Sequence, residues 1–499
     1  MSVLRGTIYL SISRVASLLL NMWAIGRYVH WLGDESWGGI ALMIVLMGFC
    51  VTVCDLGLNI ATLNALVKAA SDKDQEAANR VLATTTAIYG CAFVPIGLIY
   101  ALAFQFGYVR SMGHNLEGAL YFALAAGTTM LSLISFSQNS ALSSRGHYSY
   151  IAFSSTLFAF VNTGISLLLI YRTGQPWGFW AGNFGGLICT LIANEIQLRK
   201  IGFGAPRIGF FKSELLGAMA YLKRSWITNT ASLANGLDRI ALGRVVNEAS
   251  LGIYDQATRI PATLISTMPI AQVFPAEVAR VSQDGEGALY EAYKKLSSAT
   301  MAMMMAVLFI PSACAESYLR LIYPVYHPVM LPIFILASLD AAFSLYGSLF
   351  AVFASATGRP HLTAPFVWFM LVGTALLAFP VASIYGLIGV AAMRAILQLI
   401  QFYPLEWAAR KFIMPGMALR EILTKKAYIV AVAAVFWVLG YRIIYALGWQ
   451  YYALAGIGVS SVMSYIFMAC LYGTGAIWLP RRLASLLPKF VQNLSRRPT

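Results

Sequence analysis

Charge is what this sequence has least of. Asp, Glu, Lys and Arg together make up 11% of its 499 residues, whereas a soluble globular domain carries about 25%. So few charges cannot cover a water-facing surface, and the 59% apolar content calls for lipid as the main solvent. Soluble enzymes, secreted disulfide scaffolds and disordered tails are excluded together. The sequence also lacks a Gly-rich loop ending in Gly-Lys-Ser or Gly-Lys-Thr, and no cytoplasmic segment has room for an ATPase domain, so direct drive by ATP is not expected. The five histidines, His30, His114, His147, His327 and His361, show no metal-ligand spacing. All six cysteines fall within or at the ends of apolar runs, where they read as small buried apolar residues.

What the chain has in quantity is apolar runs long enough to cross roughly 30 Å of hydrocarbon as a helix. Fourteen are read, at about 6–30, 37–66, 81–105, 117–141, 149–171, 177–198, 223–246, 249–279, 296–315, 328–356, 362–383, 386–409, 426–446 and 450–475. With the N-terminus inside, cytoplasmic segments hold 25 of the 35 basic residues, against Arg110, Arg172 and Arg320 in external loops. That asymmetry places both termini in the cytoplasm. Arg14 splits the first apolar stretch and no small-residue cleavage pattern follows, so span one is expected to stay in the protein. External loops of about fifteen residues or fewer leave no room for a catalytic domain. A secondary transporter is favoured over a membrane enzyme.

The sequence also repeats itself. Gly26-Arg27 followed by Trp37-Gly38-Gly39-Ile40 recurs as Gly243-Arg244 followed by Leu251-Gly252-Ile253-Tyr254, and the segment 141–147 resembles 354–361. The offset is 214 from Gly38 to Gly252 and from Arg145 to Arg359. Six intervening spans give both copies one orientation, related by an axis along the membrane normal. The expected fold is therefore all-α and polytopic, with about 14 transmembrane helices: two parallel six-helix bundles around a central cavity, plus two C-terminal helices. Its segments are an N-terminal bundle over 1–200, an amphipathic cytoplasmic linker over 201–222, a C-terminal bundle over 223–409, two added spans over 410–475 and a basic amphipathic tail over 476–499. The linker and tail are expected to meet anionic membrane lipids, the linker equally well to pack on the bundle as a solvated helix. The net charge of +15 then needs no nucleic acid.

Arginine at the centre of a span costs roughly 2.5–3.5 kcal/mol on insertion scales, so the few intramembrane charges are the candidate site. Arg14 and Asn21 share a stripe of span one, and Asp55 of span two reaches about the same depth as Arg14, which predicts an Arg14–Asp55 pair. Asn235, Asp238 and Arg239 of span seven and Asp255 and Arg259 of span eight are expected to converge in the outer half, near Arg394 of span twelve. Asp340 has no basic neighbour in sequence; it either pairs across the cavity or is neutral and a proton carrier. Each pair can equally be a salt bridge fixing helix packing. As a set, the charges favour a pathway, because packing alone could use small-residue contacts such as Gly182 and Gly186.

Span one closing on Gly26-Arg27, the Gly-rich start of span two with Asp55-Leu56-Gly57-Leu58 further along it, the run Leu237-Asp238-Arg239 through Gly243-Arg244 to Leu251-Gly252-Ile253-Tyr254, and the later Phe274-Pro275-Ala276 resemble polysaccharide-transport flippases of the Wzx type. These belong to the multidrug/oligosaccharidyl-lipid/polysaccharide (MOP) exporter superfamily. The resemblance covers almost the whole chain. It implies alternating access for an undecaprenyl-diphosphate-linked oligosaccharide, moved from the cytoplasmic to the periplasmic leaflet of a bacterial inner membrane. Arg14, Arg239, Arg259 and Arg394 would take the diphosphate, and Asn21 and Asn235 would line the path. Asp55, Asp238, Asp255 and Asp340 would serve gating or coupling, the cycle needing no cofactor beyond a proton or sodium ion. Polysaccharide polymerase and chain-length machinery are the implied protein partners. The alternatives are a cation-coupled small-molecule exporter of the same superfamily, disfavoured by the arginine excess, and a membrane glycosyltransferase or polymerase, disfavoured by loop length.

Overall fold

The computed structural model describes residues 2–204, 209–214, 217, 219, 234–267, 278, 286–356, 360–412, 419–474 and 476–477. Among them the regular structure is helical throughout, without a strand. The helices are α1 (Ser2–Asp55), α2 (Leu58–Ser71), α3 (Gln75–Cys91), α4 (Phe93–Gln105), α5 (Leu116–Ser144), α6 (Tyr148–Thr173) and α7 (Trp177–Lys200). After them come α8 (Ala234–Val245), α9 (Glu248–Thr267), α10 (Glu286–Met304), α11 (Ala315–Ile322), α12 (Met330–Ala356), α13 (Ala364–Phe412), α14 (Leu419–Ala446) and α15 (Ala453–Gly473). The protein is a multi-pass membrane protein, because nine helices among the described residues are long and apolar enough to cross a bilayer.

The nine helices account for eleven of the fourteen expected spans. The stretches Ala16–Asp55 and Ala364–Phe412, of 40 and 49 residues, are each double length. Both are interrupted where the sequence separates two spans, at Gly33 (φ 79°) and Gly386 (φ 59°), in a backbone region open to glycine and few other residues. The other three spans fall on α7, which has the length but carries Gly and Asn, and on α8 and α9, where charges interrupt the apolar run. Local signals set the ends: the Asp74 carboxylate accepts the Ala77 amide at the start of α3, and Asn115 accepts that of Gly118 at the start of α5. Ten of the 22 residues of the expected linker (205–208, 215, 216, 218 and 220–222) and nearly all of the tail (476–499) lie outside the described residues, as do Phe274, Pro275 and Ala276.

The chain divides into two compact units, Met1–Asp255 and Gln256–Thr499. In the first, α6 packs between α1 and α7, and α5 lies against α7. A Cβ on Gly182 would collide with the Ser166 hydroxyl, and one on Gly186 would stand 3.0 Å from the Phe158 ring. This is the close packing expected of those two glycines. In the second unit, Tyr293, Met301 and Met305 meet Tyr346, Phe350 and Phe353 in the core.

The repeat has a physical counterpart inside the first unit. A Cβ on Gly38 of α1 would overlap the Glu248 carbonyl and lie 3.1 Å from the Gly252 amide nitrogen. Reciprocally, a Cβ on Gly252 would overlap the Asp34 carbonyl and lie 3.2 Å from the Gly38 nitrogen. Asp34 and Glu248 are themselves 214 positions apart, so repeat-related residues exchange contacts in the manner of a two-fold interface. The Glu248 carboxylate adds a clasp: it accepts the backbone amides of Arg110 (2.5 Å) and Ser111 (3.1 Å), in the turn between α4 and α5.

Candidate functional site

Charged residues of the spans form local groups within each unit. In the first unit Arg239 of α8 meets Asp255 of α9 at 3.2 Å. The carboxylate is the buried member, with 3% of its side chain exposed against 23% for the guanidinium. Between the residues that directly precede this pair, the Tyr254 hydroxyl donates to buried Asp238 at 2.9 Å. Asp238, Arg239 and Asp255 are therefore brought together as expected. Arg259 follows Asp255 by four positions on α9, half-buried. The Asn235 side chain lies outside the described residues. Arg14 and Asn21 are both half-buried on α1.

The expected Arg14–Asp55 pair is not the arrangement found. Asp55 sits where α1 ends, and its carboxylate accepts the amides of Gly57 (3.1 Å) and Asn59 (2.9 Å) and the hydroxyl of Tyr89 (2.6 Å). Depth bookkeeping placed the two residues at one level but could not foresee that span two breaks at Asp55 and turns the carboxylate onto its own backbone. The next group is Asp340 and Arg394. Both lie in the second unit and pair at 3.4 Å, with 17% and 13% of their side chains exposed. Of the two alternatives for Asp340, the structure shows the paired one, with the basic partner on α13. The signal missed was simple: 54 positions separate them, but α12 and α13 are packed neighbours.

A third group was not singled out at all. Glu406 of α13 and Lys426 of α14 form an ion pair at 2.6 Å with 0% and 2% of their side chains exposed. The Tyr346 hydroxyl of α12 donates to the same Glu406 oxygen, and Lys426 also reaches that hydroxyl. Its ammonium stands 4.6 Å from the Tyr346 ring centre and 5.8 Å from that of Tyr293. Lys426 reads in sequence as one more cytoplasmic base at the mouth of a span. Glu406, a lone acid between Leu405 and Trp407, was the available clue. Arg244 lies over the Tyr108 ring at 5.3 Å. Among the described residues no cluster of His, Cys, Asp and Glu could hold a metal ion.

The helical membrane fold agrees with what comparison finds. A family model described as "Polysaccharide biosynthesis protein" matches residues 31–327, more than half of the chain. The chain belongs to this family. Its fold is that of the MOP transporters. A lipid II flippase, MurJ, in an inward closed conformation superposes with a TM-score of 0.67 at 14% identity, covering 93% of this chain and 99% of that one. A multidrug resistance transporter of the MATE family, inward-facing, gives 0.62 at 15% identity, over 83% and 99%. A MOP superfamily transporter from Pyrococcus furiosus, described by the reverse polarity of its binding pocket, gives 0.55 at 15% identity, over 81% and 95%. No curated protein matches the chain.

Proposed function

We propose that this member of the polysaccharide biosynthesis family is a flippase. It carries undecaprenyl-diphosphate-linked oligosaccharide from the cytoplasmic to the periplasmic leaflet of a bacterial inner membrane, for export of O-antigen, capsule or exopolysaccharide. The observation that carries this reading is the presence of arginines inside apolar spans, two of them oriented by carboxylates, Arg239 by Asp255 and Arg394 by Asp340. A diphosphate needs cationic partners with planar, bidentate donors, which arginine has and lysine lacks. A carboxylate against one edge of a guanidinium fixes its plane and offsets part of its desolvation. Family membership and the fold shared with a lipid II flippase support the lipid-linked substrate.

The cycle is alternating access. Arg14 engages the diphosphate from the cytoplasmic side, Arg239, Arg259 and Arg394 receive it outward, and Asn21 and Asn235 contact the sugars. The Gly38–Gly252 crossing and the Glu248 clasp lie at the outer ends of spans one, two, seven and eight, where they close the outer side. The prenyl chain stays in lipid. The test is polymer export in cells carrying Arg239→Ala or Arg259→Ala at unchanged protein abundance: loss of export is expected, and full export by both variants would remove the arginines from the path.

A further inference from the structure

The repeated segment 141–147 has no part in the path proposed above. It ends in a short turn, Arg145-Gly146-His147, that joins α5 to α6 with Gly146 at φ 73°. Arg359 and His361 follow Arg145 and His147 at the same offset of 214; Arg359 and the His361 side chain lie outside the described residues. Arg145 comes directly after the span Leu116–Ser144, which puts its side chain at the level of lipid phosphates. The guanidinium is held in place there. Its Nη2 donates to Gln75 Oε1, and Gln75 donates in turn to the Gly202 carbonyl at 3.0 Å. The ring of buried Phe203 lies 5.6 Å from the guanidinium carbon. Among the described residues only one of the five N–H donors is engaged, and Nε is buried without a partner. Other arginines at this end of the unit differ: Arg80 pairs with Glu76 (3.1 Å) and Glu214 (3.7 Å), and Arg199 with Glu195 (2.9 Å). Asp74, next to Gln75, accepts the Ala77 amide instead.

We infer that Arg145 is the charged member of a receiving site for a phosphate oxyanion at the membrane surface, on the side that the basic residues assign to the cytoplasm. A basic residue that only sets orientation needs a charge and water around it. Arg145 is half-buried, its plane is fixed at one nitrogen by Gln75 and on one face by Phe203, and no protein carboxylate takes the remaining donors. Nη1 is left for an acceptor from outside the protein. Phosphate oxygens match parallel guanidinium donors, and phosphate is the anion found at this depth. His147, its ring stacked on Tyr150 at 5.3 Å and 15°, supplies a further ring nitrogen from the same turn. Two molecules carry the required chemistry: an anionic phospholipid headgroup, and the diphosphate of a lipid-linked oligosaccharide before it reaches Arg14. The inference rests on the flippase reading only for the second of these.

The test uses the full chain in dodecyl maltoside micelles, which contain no phosphate. Phosphatidylglycerol or undecaprenyl diphosphate is added, and modification of each arginine by phenylglyoxal is followed by peptide mass spectrometry. With a phosphate lipid at about ten times its dissociation constant, modification of Arg145 should slow about tenfold. Arg199, at the same end but paired with Glu195, should keep its rate. Slowing by undecaprenyl diphosphate alone assigns the site to the substrate, and slowing by phosphatidylglycerol alone assigns it to the phospholipid headgroup. Native mass spectrometry of the same samples gives an independent reading: Arg145→Ala should retain less of the assigned lipid than wild type, and Arg199→Ala should retain as much. Equal lipid retention by wild type and Arg145→Ala, or equal slowing at Arg145 and Arg199, overturns the inference and leaves the flippase reading intact. For the substrate assignment, Arg145→Lys in proteoliposomes should raise the concentration of undecaprenyl-diphosphate-linked oligosaccharide that gives half-maximal flipping, with the maximal rate kept. Absence of flipping by the wild-type protein with Arg145 protected would refute the flippase reading and leave the phosphate site standing.

Discussion

Gly38 and Gly252 are 214 positions apart in sequence and in contact in space, each lying where a side chain on it would strike the backbone that precedes the other. Two helices can approach this closely only where neither carries a Cβ. Gly38→Ala and Gly252→Ala should each force the crossing apart, at a cost of about 1–3 kcal/mol typical of overpacking. Both relieve the same contact, so the double variant should cost less than the sum of the singles. Thermal unfolding in detergent reads this, and strict additivity would show that the two glycines act separately.

The Glu248 clasp should behave as one acceptor serving two amides. Glu248→Ala leaves the Arg110 and Ser111 amides without their carboxylate, a loss of about 1.5–3 kcal/mol for a hydrogen bond to a charged group. Glu248→Gln keeps an acceptor oxygen and should cost less. Faster hydrogen exchange at residues 110–112 in the alanine variant, with the glutamine variant between it and wild type, is the expected pattern.

Glu406 and Lys426 are a stability feature, with a clear sign. Lys426→Met strands a fully buried carboxylate and should destabilise by about 3–5 kcal/mol, whereas Lys426→Met combined with Glu406→Leu removes both charges and should recover most of the loss. The double variant should also export polymer near the wild-type level, because the proposed path does not use this pair. An unfolding midpoint for the double variant below that of Lys426→Met would contradict the account.

For Asp340 and Arg394 the expectation is functional asymmetry. Arg394→Lys keeps the charge but not the planar fork, and should lose most export if Arg394 binds a diphosphate. Asp340→Asn keeps the shape and retains the arginine, so its loss should be smaller. Equal losses in export assays at matched abundance would favour a purely structural ion pair.

The spans were legible because a run of 18 or more apolar residues has few other uses, and the two glycine interruptions fell where the sequence divides neighbouring spans. The repeat was legible at Gly38 and Gly252 because a position that excludes Cβ restricts residue type strongly. The grouping of Asp238, Arg239 and Asp255 was legible too, because it follows from two spans adjacent in sequence. Pairing across distant spans was not, since whether Asp340 meets Arg394 depends on how α12 and α13 are rotated about their axes, which hydropathy does not encode. The break after Asp55 left a trace in Asp55-Leu56-Gly57, an acceptor side chain just before a glycine, but the surrounding apolar run concealed it. Glu406 and Lys426 were hidden for the opposite reason, each resembling the ordinary charge found near a span end.

The most direct test of the central claim is a flipping measurement with purified protein. Proteoliposomes would carry undecaprenyl-diphosphate-linked oligosaccharide, and its transfer between leaflets would be followed by the access of a membrane-impermeant sugar-modifying reagent. The account predicts that the wild-type protein brings the protected pool to the outer surface and that Arg239→Ala combined with Arg394→Ala does not. A protected pool that stays as inaccessible with wild-type protein as in protein-free liposomes would contradict it.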